Sequence, residues 1–121
     1  APRVLRELVF VAEKRKNIAP ILADANQPNS YLHLVPMVDF IYQDVAQRNQ
    51  VEIFLKNMPI YLKKGGFAAI AVKARSIDVA KKPRIIFEEA KKELEKHVII
   101  ADYRTLDPLE KDHAFFVVKK R

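Results

Sequence analysis

Amphipathic helices and short apolar strands alternate along this chain, and that alternation is the feature that most constrains its fold. Apolar side chains recur three and four positions apart in residues 3–16, 47–64 and 83–96, the spacing of one helix face. The order predicts an α/β fold with a mostly parallel sheet and helices on both faces. The last two strands have no helix between them and are predicted to be antiparallel neighbours. The strand-like apolar runs occupy residues 18–23, 38–44, 67–72, 98–101 and 114–118.

Proline and glycine mark the irregular points of this pattern. Pro20 removes a backbone donor, so the first strand is predicted to lie at a sheet edge or to leave that side unpaired. Pro59 should kink the second long helix. Gly65 and Gly66, the only glycines of the chain, follow that helix at the point where a left-handed residue is expected.

The composition narrows the classes of function. The 121 residues are enough for one domain. The absence of cysteine excludes disulfides, thiolate metal sites and cysteine nucleophiles. The histidines at positions 33, 97 and 113 are too scattered to suggest a metal cluster, and no apolar run approaches the roughly 20 residues of a membrane helix. A net charge of +7 favours a polyanionic partner such as nucleic acid, although a charge excess is also common on a solvated surface.

Charged side chains occur where the predicted strands end. Asp24 and Lys73 follow apolar runs, and His113 precedes the last one. Asp44 ends the run at 38–44, which is apolar enough to predict a buried strand. Ligands of open α/β sheets bind at the carboxyl ends of the strands, so these four residues are the first candidates for chemistry. Each also has a structural interpretation: a turn or helix-capping aspartate, a lysine extended to the surface, and a structural or exposed histidine.

Arg75 and Ser76 come directly after Lys73. They suit a phosphate oxygen, because arginine presents a planar fork of donors, and an exposed basic loop is the alternative. The sequence contains no GxGxxG, P-loop or GxSxG motif, so no standard nucleotide or hydrolase signature applies.

Taken together, several motifs of this chain resemble the fibrillarin family. The resemblance runs the full length in one register, and the absence of cysteine with the Arg75–Ser76 pair resembles archaeal members more than eukaryotic ones. The motifs are Pro-Arg-Val-Leu-Arg-Glu-Leu at 2–8, Ile-Leu-Ala-Asp-Ala at 21–25, Asp-Val-Ala-Gln at 44–47, Tyr-Leu-Lys-Lys-Gly-Gly at 61–66, Lys-Ala-Arg-Ser-Ile-Asp at 73–78 and Leu-Glu-Lys-Asp-His-Ala at 109–114.

This resemblance implies a Rossmann-like class I methyltransferase sheet that uses S-adenosyl-L-methionine. The implied activity is ribose 2′-O-methylation of rRNA and tRNA within box C/D guide ribonucleoproteins. The implied partners are the guide RNA and target RNA, a Nop-family scaffold protein and, through the complex, a kink-turn-binding protein, with no membrane involved. The implied location is the cytoplasm of an archaeon, or the nucleolus in a eukaryote.

The resemblance also implies roles for individual residues. The family's catalytic pattern is lysine, aspartate, lysine and histidine, and Asp44, Lys73 and His113 match the last three. The implied cofactor-binding residues are Asp24 and Ala25 at the adenine, with Asp44 and Gln47, and the implied RNA-binding residues are Arg75 and Ser76.

Some parts of the family pattern have no counterpart in residues 1–121: the N-terminal domain, the first two strands, the glycine loop and the first lysine. We therefore expect the chain to be the C-terminal portion of a methyltransferase domain, with a gap in its sheet. On its own it should neither fold nor bind the cofactor well, and a cooperative unfolding transition would contradict this. Two alternatives are a non-catalytic module that docks on a scaffold or RNA, and a small-molecule methyltransferase, which the basic charge and the motif at 73–78 disfavour.

Overall fold

A four-stranded sheet forms the centre of the structure, a computed structural model that describes residues 2–106 and 112–121. Leu109 and Lys111 of the motif at 109–114, and Pro108, lie outside the described residues. The strands are β1 (Val38–Gln43), β2 (Leu62–Lys73), β3 (Val98–Thr105) and β4 (His113–Lys120). The helices are α1 (Pro2–Glu13), α2 (Gln50–Tyr61), α3 (Ala74–Ile77) and α4 (Pro83–Glu95), with a 3₁₀ turn at Pro28–Tyr31.

The strands lie in the order β1-β2-β4-β3. β1 is parallel to β2, whereas β4 is antiparallel to both β2 and β3. The predicted antiparallel pair at the end of the chain is therefore confirmed. The sheet of the described strands is mixed, because β4 returns from β3 and inserts beside β2. β1, β2 and β3 still run in one direction, as the α/β order requires.

One face of the sheet, the covered face, carries the core. Opposed residues of β2 and β4 share a face, and three such pairs form this one. The covered face consists of Ala68, Ile70, Val72, Ala114, Phe116 and Val118, each 0% exposed. α2 packs on it through Phe54, and α4 packs on it through Leu94. These two helices explain the apolar residues at alternate positions of β2, whereas Ala69 and Ala71 between them lie on the opposite face.

The opposite face, the open face, carries large side chains that are exposed or half-buried. It consists of Phe40, Tyr42, Phe67, Phe115 and Val117, with the buried Ala69 and Ala71 between them. Phe40 and Tyr42 are 53% and 56% exposed, so the prediction that 38–44 is a buried strand is wrong for this side of β1. The prediction of helices on both faces is also wrong within the described ranges, where α2 and α4 share the covered face. Burial requires a facing element, and the apolar pattern alone cannot supply one.

The amino-terminal third departs most from expectation. α1 forms as predicted, yet its apolar stripe is exposed, with Val4 at 63% and Val9 at 40%. Residues 18–23 form no strand, so that prediction is wrong. A strand exists only when its backbone groups are paired, and the sheet of the described residues offers this segment no partner. Pro20 also removes one of the donors that pairing would use.

α2 is shorter than the predicted helix at 47–64, and it ends at Tyr61. Pro59 lies inside it, as predicted. The Lys120 side chain provides a hydrogen-bond donor at the C-terminal end of α2, where its Nζ donates to Leu62 O at 2.6 Å. Gly65 and Gly66 lie within β2 and do not end the helix, so their predicted capping role is wrong. Gly65 has a φ of +78°, and a Cβ on Gly66 would lie 2.8 Å from Lys63 O, which explains both glycines.

Candidate active site

Lys73 and His113 face each other across two strands. Lys73 is the last residue of β2, His113 is the first of β4, and they are direct partners in the antiparallel register. Their side chains therefore share a face, which register parity identifies as the open one. Both are half-buried. The structure thus brings together two of the three catalytic candidates that the family resemblance implied.

Asp44 lies at the same edge of the sheet, directly after the neighbouring strand. It follows Gln43, the last residue of β1, and β1 is parallel to β2. The carboxyl ends of the two strands therefore present Asp44 and Lys73 at one edge, as strand order predicted. Asp44 is exposed and heads a polar turn, 44–49, that leads into α2.

A cavity of about 480 Å³ opens beside Asp44. Ala25 lines it as well, so the structure unites these two cofactor-binding candidates in one space. Asn57 and Tyr61 of α2 form a second wall, and the remaining lining is mostly apolar. Besides those four residues, the lining consists of Val35, Val38, Ile41, Tyr42, Gln43 and Val45.

Polar contacts with α2 hold the segment that carries Asp24 and Ala25. The Asn57 amide donates to Ala25 O at 2.9 Å, and the Asn49 amide donates to Asn26 Oδ1 at 2.7 Å. Asp24 Oδ1 accepts the Asn26 N–H at 2.9 Å, so the turn role considered for Asp24 is present in the structure. These bonds explain how a segment without regular structure keeps a fixed place beside Asp44.

Two tyrosines support the same segment. Their rings stack with centroids 5.2 Å apart, Tyr61 donates its hydroxyl proton to Pro28 O at 2.6 Å, and the Tyr31 hydroxyl bonds to Asn57. Burial raises the pKa of Tyr31, and the nearby Tyr61 raises it further. Burial likewise raises the pKa of Tyr61. Both phenols therefore stay neutral donors at neutral pH.

Gln50 is a buried polar residue that joins the two strand ends. Its Oε1 accepts the Lys73 N–H at 3.0 Å, and its Nε2 donates to Gln47 O at 2.8 Å. Gln43, also buried, donates from Nε2 to Gln50 O at 2.7 Å. Gln47, a predicted cofactor-binding residue, is thus held through its backbone, and its side chain is exposed.

Arg75 and Ser76 lie in α3, directly after Lys73. The Arg75 side chain is 75% exposed and forms an ion pair from Nε to Asp112 Oδ2 at 2.7 Å. Asp112 also accepts the Ala74 N–H on its backbone carbonyl at 2.8 Å, from a left-handed conformation with φ +64°. Asp112 therefore fixes the start of β4, and with it His113, against the end of β2.

Sequence reasoning did not identify Gln50, Gln43 or Asp112. A signal for Gln50 was available, because it lies three and four positions before Ile53 and Phe54 on the buried stripe of α2. A polar residue on such a stripe must find partners. Gln43 and Asp112 had no comparable signal, since their partners are set by register and turn geometry. Among the described residues, no group of three or more His, Asp or Glu side chains is arranged to hold a metal ion.

Solved structures with this fold define the class of protein. The chain matches fibrillarin in a fibrillarin/Nop5p complex with a TM-score of 0.96 and 38% identity, covering 100% of this chain and 58% of that one. It matches Aeropyrum pernix fibrillarin in complex with natively bound S-adenosyl-L-methionine with a TM-score of 0.85 and 44% identity, covering 98% and 52%. The fold is that of a class I methyltransferase sheet.

The sequence comparisons define the family. The fibrillarin family model matches residues 1–121. A Pyrococcus abyssi protein named fibrillarin-like rRNA/tRNA 2′-O-methyltransferase is 55% identical over 120 residues, which cover 99% of this chain and 53% of that protein. The chain belongs to the fibrillarin family. It spans about half the length of the curated relatives that it matches.

Proposed function

We propose that this chain carries catalytic residues of an S-adenosyl-L-methionine-dependent RNA ribose 2′-O-methyltransferase. The observation that carries the proposal is the register pairing of Lys73 with His113, beside the strand end that bears Asp44, in a member of this family. The similarity to proteins named rRNA/tRNA 2′-O-methyltransferases supports the reaction and the substrate class.

The cavity beside Asp44 fits the cofactor in size and chemistry. Its volume of about 480 Å³ lies within the range of small-molecule sites. An exposed carboxylate at its rim favours a cationic sulfonium or amine, and the apolar lining suits the rest of a nucleoside-containing ligand. Ala25 and Asp44 line this cavity, Asp24 and Gln47 lie near them in the chain, and these four residues would hold S-adenosyl-L-methionine. When bound, the cofactor supplies the methyl group.

Lys73 and Asp44 act on the ribose hydroxyl. Negative charge develops on the 2′-oxygen as its proton leaves, and the Lys73 ammonium stabilises that charge. Asp44 either orients the hydroxyl or holds the lysine, and either Asp44 or His113 can accept the proton. Fixing the hydroxyl against this pair should supply much of the rate.

The proposed partners are RNA and proteins of a guide ribonucleoprotein. The net charge of +7 suits guide and target RNA, and the exposed Arg75 with Ser76 is the proposed phosphate contact. The similar structure of a fibrillarin/Nop5p complex supports a Nop-family scaffold partner, through which a kink-turn-binding protein would join. We place the assembly in the cytoplasm of an archaeon. Of the helices described, none is long and apolar enough to cross a membrane.

We further propose that residues 1–121 are the C-terminal portion of a domain whose other part supplies the cofactor's glycine loop. Two observations support this. Within the described ranges, β1 pairs only with β2, so its outer edge has unpaired backbone groups. The open face also exposes Phe40, Tyr42 and Phe67.

The test uses a completed protein, defined as this chain joined to the part of the Pyrococcus abyssi relative that it does not match. It is assembled with guide RNA and the Nop-family and kink-turn proteins. We expect Asp44→Ala and Lys73→Ala each to lower single-turnover methyl transfer by about 100-fold or more, because each removes a charge at the reacting oxygen. Transfer of a labelled methyl group to the target RNA measures this.

Matched controls lie on the same strands at their other ends. Asp39→Ala removes an exposed carboxylate from β1, and Lys64→Ala removes an exposed lysine from β2; both should transfer at the parent rate. Urea unfolding of each variant confirms that folding is retained. Parent rates in Asp44→Ala and Lys73→Ala would refute the site assignment. A completed protein that docks on the complex without methylating would favour the non-catalytic module.

A further inference from the structure

Gln50 is 0% exposed, although its side chain ends in an amide. Buried amides persist when their donors and acceptors are satisfied, and the partners then show what the residue holds together. Gln50 is the first residue of α2. It lies beside the last residues of β2, which extend beyond the end of β1.

The side-chain amide of Gln50 takes the place of a strand. β1 ends at Gln43, opposite Ile70, and β2 runs three residues further to Lys73. The backbone of Lys73 therefore has no partner on β1. Gln50 Oε1 accepts the Lys73 N–H at 3.0 Å and Gln50 Nε2 lies 3.3 Å from Lys73 O, the pair of bonds that a neighbouring strand residue would make.

Two further bonds connect this pair to the turn that bears Asp44. Gln50 Nε2 also donates to Gln47 O at 2.8 Å, and Gln50 O accepts from Gln43 Nε2 at 2.7 Å. Gln43 directly precedes Asp44, and Gln47 lies three residues after it. Residues 43–47 are therefore held at both ends by the residue that also holds the end of β2.

We propose that Gln50 is a positioning residue, which holds the backbone of Lys73 and the turn of Asp44 in one rigid frame. Its amide touches neither cofactor nor ribose; it acts through the two residues that do. The inference rests on the proposed methyl transfer, in which amine and carboxylate must meet one hydroxyl. Displacements of about 1 Å at such a site lower rates by about 100-fold, so a backbone clamp is a kinetic requirement.

The experiment compares Gln50→Met and Gln50→Asn in the completed protein. Met keeps the approximate volume of the Gln50 side chain but has no amide, whereas Asn keeps the amide on a side chain that is too short to contact Lys73. Both should lower single-turnover methyl transfer about 10- to 100-fold at saturating S-adenosyl-L-methionine and RNA, a condition in which weaker cofactor binding does not account for the loss. Amide hydrogen exchange of Lys73 should accelerate at least about tenfold, while that of Ala69, paired within the sheet, stays unchanged.

Ile53→Val is the matched control. Ile53 is 1% exposed on the same helix and takes no part in the hydrogen bonds to Lys73 described above. It should lower stability without changing the rate per folded molecule. If the Gln50 variants also keep the parent rate per folded molecule, Gln50 is merely structural and the proposal is overturned. If the unsubstituted completed protein fails to methylate, the proposed function fails. If the Lys73 amide stays protected from hydrogen exchange in Gln50→Met, that result alone overturns the proposal that Gln50 holds the Lys73 backbone.

Discussion

The two faces of this sheet use similar apolar residues and reach opposite degrees of burial. Phe116 on the covered face is 0% exposed and stacks on Tyr103 with ring centroids 4.6 Å apart. Phe40 on the open face is 53% exposed. α2 and α4 account for the difference, because they close one face and leave the other to side-chain contacts within the sheet, such as Tyr42 beside Phe115 at 6.1 Å.

This difference bears on function, because register puts the catalytic candidates at the end of the open face. Lys73 and His113 occupy positions of the same parity as Phe115 and Val117. The covered face therefore serves as a rigid support for these two strand ends, whereas the cavity beside Asp44 is lined by residues of β1 and α2 at the outer edge of the sheet. A large exposed apolar face is also unusual for a protein that stays alone in solution.

The largest expected effect concerns the open face as a whole. We expect the isolated 121 residues to show no cooperative urea unfolding transition and weak cofactor binding, and the completed protein to show both clearly. The reason is that covering the open face and pairing the outer edge of β1 remove apolar surface and unpaired backbone from water. Circular dichroism and calorimetry measure the two quantities. A sharp transition in the isolated chain would show that the covered face is sufficient.

The second prediction tests the covered face directly. Phe116→Ala in the completed protein should lower the free energy of unfolding by about 3–5 kcal/mol, because it empties a fully packed site. Urea denaturation provides the measurement. Val79→Ala, at a residue that is 84% exposed, serves as the control and should change stability by less than about 0.5 kcal/mol. A comparable loss in both variants would mean that the two faces do not differ in packing.

Periodicity predicted the order of the helices and of four strands, because each depends on local spacing of apolar residues. It failed for residues 18–23 and for the buried character of β1. Both failures have one cause: pairing and burial depend on a partner, and local sequence does not state whether the partner is there. The same limit applied to Gly66, where a Cβ would lie 3.0 Å from Asp39 O of the neighbouring strand β1.

The candidate site divides in the same way. The roles of Asp44, Lys73 and His113 came from family resemblance, and the strand ends alone suggested only that they were worth considering. The pairing of His113 with Lys73 depends on β4 inserting beside β2, which no local pattern of the sequence contains. Gln50 shows the limit most plainly, since its partner Lys73 lies 23 positions away along the chain.

The smallest expected effect concerns Phe40, and it tests whether the open face becomes covered in the completed protein. β2 already shields part of the Phe40 side chain, which is 53% exposed. If the rest of the domain covers the remainder, Phe40→Ala should lower the free energy of unfolding by about 2 kcal/mol, between the values for an exposed and a fully buried phenylalanine. Phe40→Leu keeps an apolar side chain and should cost less than Phe40→Ala. Urea denaturation of both variants measures the difference. A loss below about 0.5 kcal/mol for Phe40→Ala would mean that this face stays in solvent, and the contrast between the faces would then be a permanent property of the protein.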